Sequence, residues 1–253
     1  MYAEERQQAI AGLIGQRGRV SVTDLADAYQ VTTETVRRDL AALDRLGLIR
    51  RVHGGAVSAS AITIGETGLG EREHSHAQAK DRIAAAALAY LPGQGGSIAL
   101  DAGTTTVRMA PLLPTDRDLT VVTNSIPIAA RCAGQHSLQV LGGRVRGVTQ
   151  AVVGDQAVTT LAGLRVDVAF LGTNALTAGH GLSTPDLDEA AVKRAMVRCA
   201  NLVVVVTDSS KIGREDLVSF APLDGVDVLV TDADLEPRDR AEFEGHGVEV
   251  VVA

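Results

Sequence analysis

Asp101 to Thr106 read DAGTTT, a carboxylate, two small residues and three consecutive hydroxyls. Gly103 lets a backbone approach a ligand closely, Thr104 and Thr105 can donate hydrogen bonds, and a helix starting here would favour an anion such as phosphate. The same six residues also suit a plain strand-to-helix turn. Further polar groups follow three other apolar runs: Thr123, Asn124 and Ser125 after VV; Gly142, Gly143 and Arg144 after LQVL; Asp208 with Lys211 in DSSKIG after LVVVV. If those runs are parallel strands, their carboxyl ends can converge on one anionic, hydroxylated ligand, because open α/β sheets bind ligands there. On spacing alone, Lys193 in DEAAVKRAM is a solvated lysine on an amphipathic helix.

A second chemistry belongs to TTETVRRDL, Thr32 to Leu40. A helix entering the DNA major groove needs polar and cationic side chains near its N-terminal end and an apolar stripe behind them. Thr32, Thr33 and Thr35 suit phosphate oxygens, and Arg37 and Arg38 can reach phosphates or guanine edges. With Ser21 before them and Arg51 and His53 after them, these residues form the candidate DNA-contacting set. A capped surface helix with solvated charge is the competing reading.

The elements that must hold these groups are legible in the periodicity. Ile10, Leu13 and Ile14 recur at helical spacing before Gly18, and Ser21 with Asp24 starts a second helix through a capping box. Thr32 caps a third helix, on which Val36, Leu40 and Leu43 form the buried stripe up to Gly47. LIRRVHGGAV, broken by Gly54 and Gly55, reads as a hairpin or wing. Residues 1–57 therefore predict a winged helix-turn-helix, and 58–75, rich in small residues, a linker. From 76 to 253, SIAL, LTVVTN, LQVLGG, VDVAFLG, NLVVVVTD, VDVLVTD and VEVVV alternate with helical stretches at 76–90, 104–112, 125–133, 155–163 and 188–200. Short apolar strands between helices predict an α/β domain whose parallel sheet is covered on both faces.

Charge and composition narrow the function. Residues 1–57 carry eight Arg and seven Asp or Glu, net +1, so the rest of the chain holds −8 of the total −7. Five arginines between Arg37 and His53 concentrate the positive charge in the second half of the head, as contact with a polyanion requires. The longest apolar run, Ile83 to Leu91, is short of the roughly 18 residues of a membrane helix. The start MYAEERQQ lacks a signal-peptide pattern, so a cytoplasmic protein with no membrane partner is expected. Cys132 and Cys199 lie in apolar stretches without CxxC spacing and read as reduced, buried thiols. His74 and His76, two apart, do not share a helical face. No metal or cofactor is expected.

Ser21, Asp24, Leu25, Thr35, Val36, Arg37, Arg38, Asp39, Leu40 and Leu43, followed by Arg51, Val52, His53, Gly54, Gly55 and Ala56, resemble the N-terminal module of DeoR-family bacterial transcriptional regulators. TVRRDL and RVHGGA, in this order and spacing, carry the likeness. DAGTTT, VTNS, LGG, DVAFLGTNAL, GLSTPDLDEAAVK and DSSKIG resemble the effector domain of the same family. The resemblance implies a sensor fold related to ribose-5-phosphate isomerase, operator DNA as partner, repression, and release by a phosphorylated sugar. Fructose 1-phosphate is the first expectation, ahead of glycerol 3-phosphate, deoxyribose 5-phosphate and galactitol- or tagatose-type phosphates. It further implies that Asp101, Gly103, Thr104 and Thr105 hold the ligand, with Lys193 and Lys211 supplying positive charge, and that Asp39 pairs with a neighbouring arginine. A small head with few base contacts predicts a dimer or tetramer on repeated half-sites. The alternative is a phosphosugar isomerase with a DNA-binding head. Such isomerases carry a DGADE-type carboxylate cluster after a strand like VDVAF, whereas this chain reads LGTNAL there. Asp186, Asp188 and Glu189 close by read as a helix cap.

Overall fold

The computed structural model describes residues 3–17, 19–45, 48–52, 54–58 and 69–253. Two compact units divide the chain, the first built from residues 1–65 and the second from most of the remainder.

In the first unit, α1 (Ala3–Arg17), β1 (Arg19–Ser21), α2 (Val22–Tyr29) and α3 (Thr33–Arg45) precede a hairpin of β2 (Ile49–Val52) and β3 (Gly55–Ser58). The strands form a three-stranded antiparallel sheet in the order β1-β3-β2. Ile10 and Ile14 of α1 meet Leu25 of α2, Val36, Leu40 and Leu43 of α3 and Ile49 of β2 in one apolar cluster. The 3.6-residue period of the stripe thus becomes a core, and the head is a winged helix-turn-helix. Gly55 closes the wing: a Cβ there would lie 2.1 Å from the Val20 carbonyl oxygen, so only glycine lets β3 pair with β1 at Ser21. Gly18 and Gly47, the expected helix stops, lie outside the described residues.

The second unit begins with α4 (Leu69–His74), a helix inside the stretch expected as linker, followed by α5 (Ala77–Ala87). Then come β4 (Ser97–Leu100), α6 (Thr106–Met109), β5 (Thr120–Thr123), α7 (Ile126–Cys132), β6 (Ser137–Val140), β7 (Arg144–Arg146), β8 (Ala151–Val153) and α8 (Asp155–Ala162). The chain continues through β9 (Val166–Leu171), β10 (Ala175–Thr177), β11 (Gly181–Thr184), α9 (Leu187–Cys199), β12 (Ala200–Val206), β13 (Val218–Ala221), β14 (Val228–Thr231), α10 (Pro237–Gly245) and β15 (Glu249–Val252). Seven strands form a parallel sheet in the order β15-β14-β12-β9-β4-β5-β6. Alternate residues serve opposite faces. Ile98, Leu100, Val168, Phe170, Val204 and Val206 pack with Ile83 and Ala84 of α5, whereas Ala99, Ala169, Leu171, Val203 and Val205 pack with Val192 and Met196 of α9. Near-continuous apolar strands are what a sheet covered on both faces requires, each large buried side chain contributing about 1.5–3 kcal/mol. Cys132 and Cys199 are free and buried. No helix among the described residues is long and apolar enough to cross a membrane.

Candidate functional site

Because the large sheet is wholly parallel, the residues after β4, β5, β9, β12 and β14 share one edge. Asp101 follows β4 and is buried; its Oδ2 accepts from the Gly172 amide (3.1 Å), just past β9, and from the Lys193 ammonium. Lys193, one face away on α9, is buried too, and also donates to the Gly172 carbonyl at 2.9 Å. An ammonium has three donors, so one N–H of Lys193 is left for a ligand. Its aliphatic end and charge lie over the Phe220 ring, 5.4 Å from the centroid. Lys193 is therefore turned inward to Asp101 rather than facing solvent. The amphipathic pattern misleads because α9 is covered along the Lys193 side by the sheet and by β13.

The DAGTTT loop is held from within. The Thr106 hydroxyl accepts from the Gly103 amide (2.9 Å) and donates to the Asp101 carbonyl (2.6 Å). A Cβ on Gly103 would meet that hydroxyl at 3.0 Å, tighter than an ordinary contact, whereas one on Gly172 would lie an unstrained 3.8 Å from the Gly103 Cα. Thr104 and Thr105 are buried residues that follow Asp101 at the same strand end, and neither hydroxyl is among the buried polar atoms left without a partner. Thr104, Thr105 and Lys193 can donate hydrogen bonds and Asp101 can accept one, a set suited to an oxyanion carrying hydroxyls.

The neighbouring strand ends divide between scaffold and site. Asn124, after β5, accepts from the Ala102 amide (3.0 Å) and donates to the Val152 carbonyl (3.3 Å), locking the DAGTTT loop to β8. Ser125 caps α7, accepting from the Ile128 amide at 3.3 Å. Gly143, beyond the edge strand β6, has φ +143°, and a Cβ there would come 2.5 Å from the Val153 carbonyl. The β7–β8 ribbon thus explains that glycine. Arg144 and Arg146 are paired with the start of α9: Arg144, still exposed, with Asp188 at 2.5 Å, and Arg146 with Asp186 at 3.2 Å and Glu189 at 2.7 Å. Asp186 caps α9, as its position before an acidic first turn predicts. Past β9, where an isomerase would place carboxylates, stand Gly172, Thr173 and Asn174; the Thr173 hydroxyl donates to the Ala175 carbonyl at 2.7 Å.

Asp208 and Lys211 end β12 on the same edge. Asp208 is buried; burial alone would raise its carboxyl, but the Ser210 hydroxyl, Lys80 and Lys211 outweigh that and hold it below the usual carboxylate range. Lys80, on α5, is the residue that the sequence reading passes over. It is 3% exposed, with Nζ 3.5 Å from Asp208 Oδ2. Burial depresses its pKa, with Asp208 opposing the shift. The signal was present: Lys80, Ile83, Ala84 and Ala87 occupy one helical stripe, so the lysine stands where an apolar residue belongs. The two lysines approach from opposite faces, Lys193 to Asp101 and Lys80 to Asp208. The groups His74 and His76 belong to no metal-ligating cluster among the described residues.

In the head, Ser21 caps α2 by accepting from the Asp24 amide at 3.0 Å. Thr32 accepts from the Thr35 amide (3.2 Å) and shares a hydroxyl contact with Thr35 at 2.9 Å. Thr32 is exposed, Thr33 and Thr35 are half-buried, and Arg37 and Arg38 stand out from α3 with loose contacts of 3.7 Å to Glu34. Asp39 is buried and accepts from Arg6 Nε (2.7 Å) and Gln7 Nε2 (2.9 Å). Its partner is an arginine of α1, distant in sequence, rather than the adjacent Arg37 or Arg38, which the helix turns outward. The Arg51 side chain and the whole of His53 lie outside the described residues.

A winged helix-turn-helix with outward arginines, followed by an α/β unit with polar groups gathered at its strand ends, defines a DNA-binding regulator with a sensor domain. Residues 6–61 match the DeoR-like helix-turn-helix domain, and residues 75–233 the DeoR C-terminal sensor domain. The chain belongs to the DeoR family of transcriptional regulators. It is 38% identical to the HTH-type transcriptional regulator GlpR of Haloferax volcanii, covering 99% of this chain and 98% of that one. It is 30% identical to the glycerol-3-phosphate regulon repressor of Escherichia coli K12, over 92% of each. Among solved structures, ribose 5-phosphate isomerase A of Methanocaldococcus jannaschii is 18% identical over 55% of each chain, with a TM-score of 0.40.

Proposed function

We propose that this protein is a repressor of sugar- or sugar-phosphate-metabolism genes, released from its operator by a phosphorylated sugar, and that it performs no turnover. Residues 1–57 read the operator and residues 76–253 sense the effector. The observation that supports the sensing role is the buried Asp101–Lys193 pair, with one N–H of Lys193 left over, at the strand end that carries Thr104 and Thr105. A phosphate accepts from Lys193 and the two threonine hydroxyls, while Asp101 accepts from a sugar hydroxyl. Gly103 admits the backbone to the phosphate, and Asp208 and Lys211 extend the polar edge toward the rest of the ligand. Asn124, Ser125 and Gly143 shape the loops around it. Fructose 1-phosphate is placed first and glycerol 3-phosphate next, the latter supported by the name of the Escherichia coli relative.

In the head, Arg37 and Arg38 supply base or phosphate contacts from α3, Ser21, Thr32, Thr33 and Thr35 supply phosphate contacts, and Arg51 and His53 act from the wing. One head is too small for useful affinity, so two or more act together in a dimer or tetramer. Release follows from linkage: the effector prefers a sensor state incompatible with the heads' geometry on DNA.

The deciding experiment is fluorescence anisotropy of the full chain on its own upstream DNA at fixed salt, with fructose 1-phosphate, glycerol 3-phosphate and deoxyribose 5-phosphate titrated in. Salt-dependent binding released by one of them is expected. Consumption of a sugar phosphate, with the DNA ignored, overturns the reading.

A further inference from the structure

Helix α4 is held at its C-terminal end by two cations, Lys80 of α5 and Arg108 of α6. Lys80 Nζ donates to the Arg72 carbonyl at 2.9 Å and to the Ser75 carbonyl, and lies 3.5 Å from Asp208 Oδ2. Arg108 donates through NH2 to the Glu73 carbonyl at 2.7 Å and through NH1 to Asp81 at 2.6 Å. The last turn of a helix leaves carbonyls without intrahelical partners, and cations there complete them. A surface lysine would suffice for that. Here the cations are tied elsewhere: Lys80 answers to Asp208 in DSSK, and Arg108 rides on α6, the helix opened by DAGTTT. The junction itself is bent, since His76, between α4 and α5, has φ +51°.

The balance at Lys80 is uneven. Its ammonium makes two hydrogen bonds to α4 and the α4–α5 turn, while the Asp208 carboxylate sits at 3.5 Å, long for a hydrogen bond. An anion binding next to Asp208, or a hydroxyl donating to that carboxylate, changes the field at the ammonium that holds α4. A small displacement is enough, because packed elements are bistable rather than elastic. Lys211, on the turn after Asp208, gives such an anion a reason to lie there.

We infer that Lys80 is a positioning residue that transmits effector binding from the Asp208 strand end to helix α4, with Arg108 bracing the same helix from the DAGTTT side. The effector loosens or re-seats the C-terminal turn of α4, and α4 is the first described element of the sensor unit. This rests on the effector site proposed above.

The test uses the full chain with Lys80→Met and, separately, Arg108→Gln, a position whose side chain is 24% exposed and so less buried than Lys80. Fructose 1-phosphate and glycerol 3-phosphate are the probes. Two quantities are read for each variant: the effector Kd of the free protein, and the fold-change in operator Kd at saturating effector. Allosteric couplings of this type are commonly about 5- to 150-fold. The expected result is an effector Kd within about threefold of the parent while the effect on operator binding collapses toward unity, with hydrogen exchange across residues 69–75 no longer responding to effector. Unchanged coupling in both variants overturns the inference, as does loss of effector binding in proportion to loss of stability with the coupling ratio preserved. If Lys80→Met fails to fold, Arg108→Gln decides alone. Failure of the parent protein to respond to any probe refutes the effector reading itself, a separate outcome visible before any variant is made.

Discussion

Lys193 and Asp101, 92 positions apart, form an ion pair that is buried on both sides and shares the backbone of Gly172 between them. A buried pair is a poor source of stability by itself, since desolvation offsets attraction, but removing one partner strands the other charge at about 3–5 kcal/mol. Lys193→Met should therefore lower the stability of the sensor unit by about that amount, read by urea unfolding. It should also weaken effector binding at least tenfold by calorimetry. A variant of unchanged affinity would remove Lys193 from the ligand set.

Arg37 and Arg38 are exposed, whereas the adjacent Asp39 is buried against Arg6. Alanine at whichever arginine reads a guanine should cost about 1–3 kcal/mol of operator binding and leave the melting of the head unchanged. Asp39→Ala strands Arg6 and should destabilise the head by about 3–5 kcal/mol, with DNA binding lost as a consequence. Calorimetry and anisotropy on the three variants distinguish the cases. Equal melting losses in all three would refute the division.

The wing supplies a backbone test. At Gly55 an added Cβ meets the Val20 carbonyl at 2.1 Å, whereas at Gly54, with φ +80°, nothing lies within 4 Å. Gly54→Ala should cost about 1–2 kcal/mol from left-handed strain alone. Gly55→Ala should unpair β1 from β3 and abolish operator binding. Similar losses at both positions would mean that the close approach is relieved elsewhere.

Acid stability has a local source in Asp167. The Ser97 amide donates to its Oδ2 at 2.7 Å and the Ser97 hydroxyl at 2.8 Å, and these two bonds hold its pKa below the ordinary 3.8. The unfolded chain then binds more protons here than the folded one. The contribution is complete above 3.8 and is lost as pH falls through the lowered folded value. Asp208 adds a term of the same sign. Melting temperature should fall between about pH 5 and pH 2 in the parent and fall less in Asp167→Asn. An identical slope would assign the acid transition to other carboxylates.

Most of the elements are legible in local pattern. The stripe Val36, Leu40, Leu43 and the caps at Ser21 and Thr32 define the head, because helical periodicity and capping are local. The apolar runs ending in DAGTTT, VTNS and DSSK define a parallel sheet with its polar groups on one edge, because two-sided burial leaves no other pattern. Partnership was decided only in three dimensions. Nothing local says that Asp39 takes Arg6, that Lys193 turns inward to Asp101, or that Lys80 leaves its helix stripe to bind α4 and Asp208. The ion pairs Asp39–Arg6, Lys193–Asp101 and Lys80–Asp208 each join elements far apart in the chain, and a buried charge takes whichever counter-charge the packing of sheet and helices brings within reach.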